Sequence, residues 1–77
     1  MQILLIEQRK NAGESQNDIA NLLGISETSY RKRELGKLQF KMNEMFAIAK
    51  HYNKSIEEIF LPRKYTERVQ KITEQPA

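Results

Sequence analysis

The sequence predicts an all-α domain, and three observations predict it. Glycine and proline are scarce, 3 and 2 of 77 residues. The two-residue alternation of strands is absent. Apolar residues instead recur at i, i+3, i+4 and i+7, the spacing that lines one face of a helix.

The pattern resolves into five short helices. The first runs from about residue 2 to 12, with Leu5, Arg9 and Ala12 on one face, and Gly13 ends it. Ser15 caps a second helix over about 16–23, with Asp18 as its reciprocal partner. That helix buries Ile19, Ala20 and Leu23, and Gly24 breaks it. Ile25 is apolar, and Ser26 caps a third helix over about 27–34, closed by Gly36.

A loop from Lys37 to Lys41 leads into a fourth helix over about 42–52. There Met42, Met45, Phe46, Ile48, Ala49 and Tyr52 keep the helical spacing, the methionines reading as core filler. No side chain offers itself as its N-cap. Asn53 is a left-handed terminator, and Ser55 with Glu58 forms a capping box for a last helix carrying Ile56, Ile59 and Phe60. Pro62 stops it. The domain is therefore expected over residues 1–62, with 63–77 a polar tail. Tyr65, Val69 and Ile72 leave only a weak amphipathic trace in that tail, which reads as frayed or as contributing to a dimer.

A chain of this size makes one domain and buries only about 60% of the surface its unfolded form exposes. No cysteine is present to staple it, so added stability must come from a partner, a second copy or a nucleic acid. The run Ile3 to Ile6 is too short for a signal peptide or a membrane span, and a cytoplasmic location is expected. Part of that run, with Phe60, Leu61 and Tyr65, is a candidate dimer surface.

The net charge of +3 is modest, but its distribution is not. Arg31, Lys32, Arg33, Lys37 and Lys41 face only Glu34 between positions 31 and 41, five cations less one acid, a local +4. A surface that binds phosphate needs such clustering.

The stretch Gln16 to Leu35 carries the most information. Two helices crossing through a tight turn need a small residue at the crossing, met by Ala20, and a residue free to take positive φ, met by Gly24. Apolar groups must fill the angle from both sides, and Ile19, Leu23, Ile25 and Tyr30 are spaced to do so.

With those residues in place, SQNDIANLLGISETSYRKRELGK resembles the helix-turn-helix of the lambda-repressor-like superfamily, the Cro/repressor or XRE type. The resemblance extends over about residues 3–61. It implies a five-helix fold and a transcriptional regulator, phage or bacterial, that binds double-stranded DNA as a homodimer. Residue by residue, it implies a phosphate contact for Gln16 at the start of the second helix. Glu27, Thr28 and Lys32 fall where recognition-helix side chains reach base edges, with Ser29 and Arg31 beside them and Arg31 near phosphate. Lys37 matches a backbone-contacting position, to which Lys41 adds. Arg9 and Glu34 match a partly buried structural ion pair.

Lys32 can donate to guanine and Thr28 can bond a base or offer its methyl to thymine. Glu27 is either a specificity residue accepting from cytosine N4 or a helix-start charge. Three residues depart from the family pattern. Glu14 replaces an apolar residue before the second helix, Leu35 a polar one before Gly36. Arg33 stands at an apolar position, its stem expected to cover the core while its head reaches solvent.

The remaining chemistry is bland. His51 has no second ligand at metal spacing, Glu57 and Glu58 serve a helix terminus, and no serine has a base in a catalytic arrangement. No enzyme activity, cofactor, metal, membrane partner or small-molecule substrate is expected. The alternative reading is a helix-turn-helix used as a protein-interaction module, an antitoxin or anti-repressor, for which an acid at position 27 is the best support.

Overall fold

The computed structural model describes residues 1–60, and every regular element in them is a helix: α1 (Ile3–Asn11), α2 (Gln16–Leu23), α3 (Glu27–Leu35), α4 (Met42–Tyr52) and α5 (Ile56–Phe60). The starts follow from local chemistry. Ser15 Oγ accepts from the Asp18 N–H at 3.1 Å while Asp18 Oδ2 accepts from the Ser15 N–H at 2.8 Å. Ser26 Oγ accepts from the Ser29 N–H at 3.1 Å. Both satisfy amides that the first turn of a helix leaves without partners.

The ends share one device. The N–H groups of Glu14, Ile25, Lys37 and Lys54 reach back to the carbonyls of Arg9, Ala20, Lys32 and Ala49 at 2.8 to 3.1 Å. Each closure passes through a left-handed residue. At Gly24, which sets the turn between α2 and α3, φ is +69° and a Cβ would meet nothing within 4 Å. Glycine is required there by the backbone alone, not by crowding. Asn53, at φ 55°, does the same work after α4.

The start of α4 has a partner the cap residue itself does not supply. Glu44, three positions in, turns its Oε1 back to accept from the Lys41 N–H at 2.9 Å. This is the second half of a capping box with the first half missing.

Packing then assembles the domain. α2 lies against α3 and α4, while α5 lies against α1 and α4. Leu5, Ile19, Ala20, Tyr30 and Ile48 are fully buried, and Ala49, Ile59 and Phe60 nearly so. Burying each large apolar side chain of this kind contributes about 1.5–3 kcal/mol. Phe40, in the α3–α4 loop, sits edge-on between Tyr30 and Phe60, with ring centroids 6.0 and 5.2 Å away. It pins the loop that carries Lys37 and Lys41.

Four expectations are corrected. Met42 and Phe46 are 60% and 59% exposed and do not fill the core. The buried stripe of α4 runs through Glu44, Ile48 and Ala49, and these two residues lie on its flank. Arg33 does not send its head to solvent: the whole residue is buried. Ala12 is exposed, because α1 has already ended. Phe60 is committed to the core beside Phe40 and offers no dimer surface, while Ile3 of the N-terminal run is half-exposed. The calls on Leu61, Pro62, Tyr65, Val69 and Ile72 lie outside the described residues. Among those described, no helix is long and apolar enough to cross a membrane.

Candidate nucleic-acid interface

Two faces of α3 divide its residues. Tyr30, Arg33 and Glu34 point inward, so Glu27, Thr28, Arg31, Lys32 and Leu35, at i, i+1, i+4, i+5 and i+8, share the outward face. Thr28, Arg31 and Lys32 are exposed and Glu27 half-buried. Lys37 and Lys41, both exposed, flank the C-terminal end of this face from the loop that Phe40 anchors. Gln16, the first residue of α2, borders it on the other side through its bond to Arg31.

Behind this face lies a hydrogen-bonded hub. Arg9 Nε donates to Glu34 Oε2 at 2.9 Å and Arg9 Nη2 to Glu34 Oε1 at 3.2 Å, a two-pronged pair joining α1 to α3. Arg9 Nη1 donates to the Glu14 carbonyl at 2.9 Å. Tyr30 Oη donates to Glu34 Oε2 at 2.7 Å, and Gln16 Nε2 to Glu34 Oε1 at 2.9 Å. Burial pushes the Glu34 carboxyl up, but the bonds from Arg9, Tyr30 and Gln16 together outweigh it and hold the carboxyl below the ordinary carboxylate range. The same bond to Glu34 raises the Arg9 guanidinium, and burial pushes the Tyr30 hydroxyl up. All three are therefore fixed in one protonation pattern at neutral pH.

Gln16 connects the hub to the surface. Its Oε1 accepts from Arg31 Nε at 3.2 Å while its Nε2 reaches Glu34. Arg31 Nη2 also donates to Glu27 Oε2 at 2.7 Å across one turn of α3. The structure thus brings Gln16, Glu27 and Arg31 together with Arg9 and Glu34. It turns Ser29 elsewhere: its hydroxyl and carbonyl oxygens both accept from Arg33 Nη1.

Arg33 and Glu44 are the residues that sequence reasoning missed. Arg33 Nε donates to Glu44 Oε1 at 3.0 Å, so the last turn of α3 and the first turn of α4 are tied together inside the fold. The signal was present as a charged residue at an apolar position and an acid three residues into a helix that lacked a cap. Glu14, standing where an apolar staple is usual, places its Oε2 2.7 Å from His51 Nε2 and so joins the α1–α2 turn to α4.

The charge balance of the face follows. Arg33 is removed to the interior and Arg31 is offset by Glu27, so Lys32, Lys37 and Lys41 supply the net positive charge of this face. Among the described residues no group of three His, Cys, Asp or Glu side chains could hold a metal ion. Residues 5–59 match a family model described as helix-turn-helix. No curated protein and no solved structure gives a significant match.

Proposed function

The chain belongs to the helix-turn-helix family of XRE type, lambda-repressor-like, a family of DNA-binding regulatory domains, and on that premise we propose that it is a sequence-specific transcriptional regulator of the Cro/repressor type. It inserts α3 into the major groove and binds a two-fold symmetric operator as a homodimer, with half-sites about one helical turn, roughly 34 Å, apart. It is bacterial or phage-encoded, works in the bacterial cytoplasm and is no enzyme; residues 1–62 form the binding domain, and 63–77 are a polar tail that either stands apart or contributes to the dimer.

The observation that carries this reading is the outward face of α3. Thr28 and Lys32 stand exposed at adjacent turns, and Lys37 and Lys41 flank them. Thr28 and Lys32 read bases, Lys37 and Lys41 hold phosphates, and the first-turn amides of α2 at Gln16 add a further backbone contact. Ser29 stands beside the base-reading residues and supports Arg33. The Arg9–Glu34 pair is structural. The partnering of Glu27 with Arg31 weakens the charge argument for a protein-interaction module, because the guanidinium beside the acid offsets part of its repulsion of phosphate.

Selection from randomised duplex DNA at about 100–150 mM salt tests the reading. Enrichment of a two-fold symmetric motif is expected. Binding without enrichment would reduce the protein to a phosphate binder, and no binding at all would return the protein-interaction reading.

A further inference from the structure

We propose that Glu27 and Arg31 read one C·G base pair as a unit, Glu27 accepting from cytosine N4 and Arg31 donating to the O6 and N7 of its guanine. This rests on the operator-binding reading and assigns within it two residues whose roles that reading leaves open.

The geometry selects the base edge over the phosphate. The Nε–Nη2 side of the Arg31 guanidinium is already engaged, Nε with Gln16 Oε1 at 3.2 Å and Nη2 with Glu27 Oε2 at 2.7 Å. No other hydrogen bond engages its Nη1 among the described residues, so the Nη1–Nη2 end of the fork remains to donate. Glu27 has one oxygen committed to Arg31, and its Oε1 remains to accept. Side chains of both residues are about half exposed, at 43% and 51%.

The pair as a whole is neutral. A neutral pair gains little from a phosphate, which attracts the guanidinium and repels the carboxylate beside it. A base-pair edge in the major groove has the opposite requirement, since it presents donors and acceptors together. The C·G edge offers the cytosine N4–H donor next to two guanine acceptors, the complement of one carboxylate oxygen next to one guanidinium end. Gln16 makes the arrangement rigid. It holds the guanidinium from α2 and is itself held by Glu34, whose carboxylate is locked by Arg9 and Tyr30. Orientation is thus set before DNA arrives, which lowers the ordering cost of the contact.

The experiment is selection from randomised duplexes with the full chain, run in parallel on the wild type, Glu27→Gln and Arg31→Ala, with salt-dependent affinities on the wild-type motif. The wild type is expected to select C·G at one position of each half-site, with T·A there binding about 10-fold to 100-fold more weakly. Glu27→Gln should move the preference at that position to A·T, since glutamine pairs with adenine N6 and N7. Arg31→Ala should weaken selection at the same position and leave the slope of log K against log salt unchanged. A Glu27→Gln motif identical to the wild type, or a uniform rise in affinity for every sequence, would reduce Glu27 to a helix-start charge and overturn the inference while the operator reading stands. A slope reduced by about one in Arg31→Ala would place Arg31 on a phosphate and overturn it equally. A wild type that enriches no sequence would overturn the operator reading and the inference together.

Discussion

Arg33 and Glu44 are joined inside the fold, Nε to Oε1 at 3.0 Å, with both side chains about nine-tenths buried. Glu44 spends the same oxygen on the Lys41 N–H, so one carboxylate fixes α3 to α4 and starts α4. Removing one partner leaves an uncompensated buried charge.

Arg33→Leu is therefore expected to lower stability by about 3–5 kcal/mol, a large part of what a domain this small has. Adding Glu44→Gln should recover most of the loss, because the amide oxygen still accepts from Lys41 without carrying charge. Urea unfolding followed by circular dichroism reads both. A double variant no more stable than Arg33→Leu would show that the stranded Glu44 charge is not the cause of the loss.

Acid should unfold the protein through Glu34. Its carboxyl titrates below the ordinary value in the folded state because Arg9, Tyr30 and Gln16 bond the ionised form. The folded state then binds fewer protons than the unfolded one. Stability from this group is complete above the unfolded glutamate value, about 4.3, and is lost as pH falls through the lower folded value. Glu34→Gln should flatten the stability profile below about pH 4.3 while lowering stability at pH 7. An unchanged acid limb would assign that titration to another carboxylate.

Lys37→Ala and Thr28→Ala should fail differently. If Lys37 holds a phosphate as proposed, the first should weaken binding to all DNA alike and cut the salt slope by about one. The second should leave the slope alone and change which sequence is preferred. Affinities on specific and random duplexes at several salt concentrations separate the two, and the reverse pattern would exchange the roles assigned here.

Gly24→Ala should cost about 1–2 kcal/mol, the expense of a left-handed alanine, because φ is +69° and the space around it is open. Gly24→Asn should cost less, since asparagine tolerates that region and Asn53 already occupies it in this chain. Equal losses for the two would point to packing instead of backbone as the cause.

Helix ends were legible in the residues because their causes are local. Ser15 with Asp18, Ser26, Gly24, Gly36 and Asn53 each act within a few positions, and the structure uses every one. The crossing of α2 and α3 was legible too, since Ala20 and Tyr30 are fully buried where the angle needs them. Met42 and Phe46 were not. Helical spacing admits them to the same stripe as Ile48, and only the placement of α2 and α5 against α4 decides which edge of a broad stripe is covered. Arg33 was misread for a related reason. The destination of a long side chain depends on a partner eleven residues away, and no period relates it to Glu44. The Gln16 bridge was equally hidden, because it joins residues 15 and 18 positions apart on different helices.

The Gln16 amide, accepting from Arg31 and donating to Glu34, makes the outer surface of this protein mechanically continuous with its interior. A change at Arg9 or Tyr30 loosens Glu34 and, through Gln16, the anchoring of Arg31, so a substitution in the core reaches the outward face of α3.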